Sequence, residues 1–126
     1  MRLKNKVSII TGAASGIGKE SVLKFLDEGS KVVAADLNAE ALSNLKNEID
    51  YSDEVFETFE CDVSSEEAIK NLVRFAIKKF NKLDVIFNNA GIGGAFGPIT
   101  EINLNDWQRT TSILLDSVFL GIKYAA

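Results

Sequence analysis

The stretch KVSIITGAASGIG, residues 6–18, decides how the rest of the chain is read. Its first half, Lys6 to Thr11, is short, β-branched and almost continuously apolar, the composition of a parallel strand buried on both faces. Its second half places Gly12, Gly16 and Gly18 between that strand and a segment in which Val22, Phe25 and Leu26 recur at helical spacing. Gly29 then stands where a helix ends in the left-handed conformation. The order is strand, glycine loop, helix. Such a loop brings backbone N–H groups close to a ligand with no Cβ in the way, and the helix N-terminus adds unpaired donors and a partial positive charge. Those properties favour a pyrophosphate. The same glycines also suit a sharp turn beneath a closely packed helix, and for an isolated motif both readings stand.

The strand and helix pattern then repeats along the chain. Lys31 to Ala35 (KVVAA) reads as a second strand, and Asn38 as the N-cap of a helix whose apolar face is Ala41, Leu42, Leu45 and Ile49. Val55 to Phe59 gives a third strand. Ser64-x-x-Glu67 forms a capping box ahead of a stripe made by Ala68, Ile69, Leu72, Val73, Ala76 and Ile77. Leu83 to Phe87 gives a fourth strand. NNAGIGGAFGPIT, residues 88–100, holds four of the nine glycines and the only proline, so it reads as a loop. A final helix is expected from near Asn105 or Asp106 to the end, with Trp107, Ile113, Leu114, Leu115, Val118, Phe119 and Ile122 spread most of the way round it. A helix of that kind needs burial on two sides. With right-handed crossovers, the pattern predicts an α/β fold: a Rossmann-like doubly wound parallel sheet of four strands in the order 3-2-1-4, with helices on both faces. Residues 1–126 are expected to be one domain, a size that buries roughly two thirds of the surface of the unfolded chain.

Composition narrows the functional classes. Apolar residues at 46% and charged residues at 25% are those of a water-soluble globular domain. The net charge of -4, with Lys70, Arg74, Lys78, Lys79 and Lys82 as the one basic cluster, argues against nucleic acid as a partner. There is no apolar run of membrane-spanning length and no signal-peptide pattern, so neither a membrane partner nor export is expected and a cytoplasmic location is. The chain has no histidine and a single cysteine, which removes an internal disulfide, a zinc cluster and a serine-histidine triad. Cys61 itself reads as a small core residue.

Asp36 shifts the balance on the glycine loop. It follows the second strand, 18 residues after Gly18, where a dinucleotide fold places a carboxylate that accepts hydrogen bonds from the adenosine ribose. A solvated aspartate at a strand end is the plainer alternative. Loop and carboxylate together, in this context, favour dinucleotide binding. The same carboxylate repels a 2′-phosphate, and its neighbours Leu37, Ala13 and Ala14 offer no cation to offset that repulsion, so NAD is preferred to NADP.

At this point the residues resemble the short-chain dehydrogenase/reductase family. Its TGxxxGxG motif is matched by Thr11, Gly12, Gly16 and Gly18, its aspartate-valine pair by Asp62 and Val63, and its NNAG by Asn88, Asn89, Ala90 and Gly91. The resemblance implies that Gly12, Ser15, Gly16, Ile17 and Gly18 hold the pyrophosphate of NAD. It further implies that Asp36 holds the adenosine ribose with Leu37 beside it in the cofactor site, that Asp62 and Val63 flank the adenine, and that Asn89, Ala90 and Gly91 line the nicotinamide-side ribose. Asn88 and Asn89 also suit a purely structural task, tying adjacent backbones together at a strand end. The segment from Asp106 to Ala126 resembles the family's interface helix, which implies a homo-oligomer.

Two departures qualify the resemblance. The family carries an asparagine in the long helix, and alignment from Trp107 puts Leu114 there, where no water is held for a proton relay. Its catalytic serine and YxxxK lie beyond the matched segment, and neither Tyr51 nor Tyr124 begins a YxxxK, so no catalytic residue is assigned within this chain. The expectation is therefore an NAD-dependent oxidoreductase acting on a small alcohol or ketone, represented by its cofactor-binding portion and truncated before the catalytic segment. The alternatives are a non-catalytic dinucleotide-binding module and an assembly protein that retains the fold.

Overall fold

The structure, a computed structural model, describes all of residues 1–126. Four strands, β1 (Val7–Thr11), β2 (Lys31–Asp36), β3 (Phe56–Glu60) and β4 (Val85–Phe87), form one parallel sheet in the order β3-β2-β1-β4. This is the expected order. It arises because two right-handed crossovers carry the chain one way from β1, through α1 (Gly16–Asp27) and α2 (Ala39–Glu48). α3 (Glu66–Phe80) then returns it to the other side of β1.

β1 is the innermost layer. All five of its residues are buried, as expected of a strand covered on both faces, and its two polar members are hydrogen-bonded. Ser8 Oγ pairs with Ser30 Oγ at 2.8 Å, and Thr11 is tied to the loop after β4. The sheet separates two cores. Ile10, Val32 and Ala34 pack on α1 and α2 through Val22, Leu26, Leu42 and Leu45 on one face. On the other, Val7, Ile9, Val33 and Ala35 pack on α3 and the C-terminal helix through Ile69, Leu72, Val73 and Leu120. At roughly 1.5–3 kcal/mol per fully buried aliphatic side chain, both faces contribute strongly to stability.

Local signals match the structure at the end of α1 and the start of α2. Asn38 Oδ1 accepts from the Ala41 amide at 3.0 Å, and Gly29 adopts φ 92° after α1. The expected capping box at Ser64 is displaced by one residue. Asp62 Oδ1 captures both the amide and the hydroxyl of Ser64, and α3 starts instead from Ser65, whose Oγ accepts from Ala68 N at 3.2 Å. The stripe on α3 also shifts. Ile77 is exposed and Phe80 is buried, because at 100° per residue Phe80 falls inside the arc defined by Ile69, Val73 and Ala76 while Ile77 falls at its rim.

The final helix differs most from the expectation. It starts at Leu104, capped by Asn103 Oδ1 on the Asp106 amide at 2.8 Å, and it is not uniform. α4 (Leu104–Thr111) runs into a π-helical segment, Ser112–Asp116, and then into α5 (Ser117–Ala125). Within and beside that segment the hydroxyls of Thr110, Thr111, Ser112 and Ser117 each donate to a carbonyl three or four residues back. Such back-bonding competes for the carbonyls of the α-helical ladder and bends a helix. One face of α5 is buried through Ser117, Leu120 and Gly121, while Leu115, Phe119 and Ile122 remain exposed.

Candidate functional site: a cleft at the C-terminal ends of the strands

The C-terminal ends of β1, β2, β3 and β4 meet at a cleft of about 430 Å³. It lies where the strand order reverses, between β1 and β4, the place where open α/β sheets bind ligands. Gly12, Ser15, Gly16 and Ile17 form one wall from the loop after β1. Asp36 and Leu37 follow β2, Asp62 and Val63 follow β3, and Asn89, Ala90 and Gly91 follow β4. Eleven of the twelve residues singled out in the sequence are thus brought together.

Gly18 is the exception, and its surroundings explain why it is glycine. A Cβ there would lie 2.0 Å from the Gly12 carbonyl oxygen, so Gly18 lets α1 press onto the loop and does not face the cleft. Gly12 is constrained from the other side, with φ 62° and Ala90 Cα only 2.8 Å from where a Cβ would stand. Gly16 differs from both. It has φ 53°, and nothing lies within 4 Å of its would-be Cβ, so the backbone is turned toward open space in the cleft.

The start of α1 faces that space. Ser15 occupies the N-cap position with extended backbone but makes no side-chain cap, and the first turn carries no acidic residue. The orphan amides of the helix are therefore left for a ligand.

Two hydrogen-bonded junctions hold the walls in place. Thr11 Oγ1 accepts from the amides of Asn89 and Ala90, both at 3.1 Å, and Asn89 Nδ2 donates to Thr11 O at 3.1 Å. The structural task considered for the asparagines is thus performed by Asn89. Asn88 instead packs its amide against Gly121 of α5, where a Cβ would push that amide aside. Asp36 forms the other clasp. Its Oδ2 accepts from Ala14 N and its Oδ1 from Asn38 N, each at 3.0 Å, which fixes the glycine loop to the end of β2.

Four further residues line the cleft: Cys61, Ile92, Arg109 and Ile113. Cys61 is 2% exposed and belongs to the core, as expected; burial pushes its thiol up to about 11, with the Asp62 charge adding to the effect. Ile113 sits in the π segment and packs against the core that includes Val63 and Cys61. Leu114, next along, places its Cδ2 3.2 Å from a would-be Cβ on Gly91. The sequence signal for these α4 contributions was the run Thr110–Ser112, whose hydroxyls turn the helix. Periodicity alone does not reveal it.

A parallel sheet in this order, with an uncapped helix facing an open glycine turn and a carboxylate clasp at the next strand end, is the construction of a doubly wound dinucleotide-binding fold. The sequence model of the short chain dehydrogenase family matches residues 6–126, and the chain belongs to that family. It is 41% identical over 125 residues to short-chain dehydrogenase reductase 3b of Arabidopsis thaliana, covering 99% of this chain and 48% of that protein. Among solved structures it is similar to a short-chain dehydrogenase/reductase, glucose/ribitol dehydrogenase, of Brucella melitensis, with a TM-score of 0.92 at 34% identity; the match covers 99% of this chain and 52% of that one. It is also similar to the 3-ketoacyl-(acyl-carrier-protein) reductase of Brucella melitensis complexed with NADH, with a TM-score of 0.88 at 30% identity, covering 96% of this chain and 49% of that one. The chain therefore spans about half the length of the curated relatives it matches. No helix in it is long and apolar enough to cross a membrane.

Proposed function

We infer that the cleft holds NAD and that the protein carries the cofactor-binding portion of an oxidoreductase moving a hydride between NAD and a small alcohol or ketone. The observation that carries this reading is the open start of α1: no side-chain cap, no acid in its first turn, and Gly16 facing empty space. Gly12, Ser15, Gly16 and Ile17 hold the pyrophosphate through backbone amides, and Gly18 keeps the helix close enough to reach it. Asp36 retains lone pairs beyond those given to Ala14 and Asn38, and these receive the adenosine ribose hydroxyls. Leu37, Asp62 and Val63 border the adenine, and Asn89, Ala90 and Gly91 the second ribose. When bound, the nicotinamide ring supplies the hydride-accepting carbon. The chain's own contribution is to orient it.

NAD is favoured over NADP because Asp36 places a carboxylate where a 2′-phosphate would sit, and Leu37 beside it offers no compensating charge. Titration with NADH and NADPH, read by nicotinamide fluorescence, tests this directly. Saturable NADH binding at least tenfold tighter than NADPH is the expected result; equal affinities would end the NAD assignment, and no binding of either would end the reading altogether. Turnover with NAD and a panel of secondary alcohols tests the enzymatic part.

The exposed face of α4 and α5 supports self-association. Trp107, Leu115, Phe119 and Ile122 stand on this surface, all more than half exposed. Light scattering should show a dimer or larger species, with Phe119→Asp shifting it toward monomer.

A further inference from the structure

Arg109 stands out from every other basic residue near the cleft. It is the only cation lining a cleft whose other charged groups are the carboxylates of Asp36 and Asp62. All seven ion pairs of the protein use lysine as the cation, and Arg109 takes part in none of them. Its side chain is exposed, and only its backbone carbonyl is engaged, by Ser112 Oγ at 2.7 Å. A planar guanidinium with no protein partner stands at the mouth of the cleft. It lies one helical turn before Ile113, which packs on the Cys61 and Val63 side and not on the glycine-loop side.

We propose that Arg109 closes the adenine end of the cleft by stacking its guanidinium on the purine face, forming with Val63 and Ile113 a slot that selects a purine nucleotide. This rests on the dinucleotide reading above and adds a residue to it. The pyrophosphate is served from the opposite wall by the start of α1, so the charge that Arg109 brings is not needed there. At the Asp62 end it has two effects. It offsets the carboxylate, and it offers a flat, weakly hydrated cation to an aromatic ring, an interaction Lys reproduces poorly because its ammonium is a point charge.

The experiment compares wild type, Arg109→Met and Arg109→Lys in the protein as its gene encodes it. Dissociation constants for NADH are read by fluorescence, with adenosine and reduced nicotinamide mononucleotide as competitors. Since Arg109 is exposed and bonds no other side chain, the melting temperature should be unchanged. Arg109→Met should weaken NADH about five- to tenfold and adenosine by the same factor, leave the mononucleotide unaffected, and be only partly corrected by Arg109→Lys. Adenosine unaffected while NADH weakens would mean that Arg109 contacts phosphate, which overturns the proposal. So would variants that bind all ligands as wild type does. Absence of NADH binding by the wild type is a separate outcome, because it removes the dinucleotide reading itself.

Discussion

The starts of α1 and α3 invite comparison, since each follows a parallel strand at the same end of one sheet and yet they are finished in opposite ways. α3 is closed. Ser65 caps it, Asp62 gathers Ser64 just ahead of it, and Glu66 and Glu67 place two acids in its first turn. α1 begins with glycines, has no side-chain cap, and has no acid in its first turn. A helix start finished by its own side chains has its amides satisfied within the protein; one left open offers them to water or to an anion. The same supersecondary unit thus yields a closed structural joint in one place and, in the other, the open start proposed as a binding site, and the difference lies in the side chains at each start.

The largest break in this comparison comes from closing the open site sterically. Gly18→Ala would set a methyl 2.0 Å from the Gly12 carbonyl oxygen, and neither backbone can yield without moving α1 or the loop. We expect a loss of about 3 kcal/mol in denaturant unfolding and at least a hundredfold weaker NADH binding. A melting curve and affinity matching wild type would show that the packing at Gly18 is not what holds the loop.

Asp36→Ala is next in size. It removes the acceptor for the Ala14 and Asn38 amides together with the group assigned to the ribose, so it should cost about 1–2 kcal/mol of stability and weaken NADH about thirtyfold. Asp36→Asn separates the two tasks. An amide oxygen can still accept from one of the two amides, so stability should largely recover while the preference for NADH over NADPH falls. If Asp36→Asn retained the full preference, the carboxylate charge would not be its source.

A control belongs to the closed helix. Ser65→Ala deletes the cap of α3 and should cost about 1 kcal/mol of stability with NADH affinity unchanged. An effect on affinity would couple the two helix starts and erase the distinction between them.

How far this contrast was legible in the sequence depends on whether the signal was local. The open start of α1 was legible because Gly12, Gly16 and Gly18 stand between a strand and a helix with Asp36 at the next strand end, and the strand order because each apolar run is followed by a helical stripe. The closure of α3 was read one residue early, since Ser64 and Ser65 are equivalent in sequence and only the carboxylate of Asp62 decides between them. The α4 wall was missed for a different reason. Arg109 and Ile113 reach the cleft from a helix that changes from α to π between them, and that change accompanies several hydroxyl-to-carbonyl bonds that no apolar periodicity marks.

The smallest effect is expected at the opposite end of β1, away from the cleft. Asp84 accepts from the Val7 amide at 2.9 Å and pairs with Lys82 at 3.0 Å, and these contacts hold its carboxyl below the usual carboxylate range, the amide bond first. A group whose folded value is lowered contributes stability that is present above its unfolded value near 4 and is lost as pH falls through the folded value. Unfolding midpoints should therefore be flat from neutrality to about pH 5 and fall below about pH 4, with part of the fall absent in Asp84→Asn. At neutral pH, Asp84→Asn should leave NADH affinity unchanged, because Asp84 lies at the other end of β1 from the residues lining the cleft. A drop in NADH affinity in Asp84→Asn at neutral pH, while the protein remained folded, would mean that the far end of β1 communicates with the cleft and that the open helix start is not set by its immediate neighbours alone.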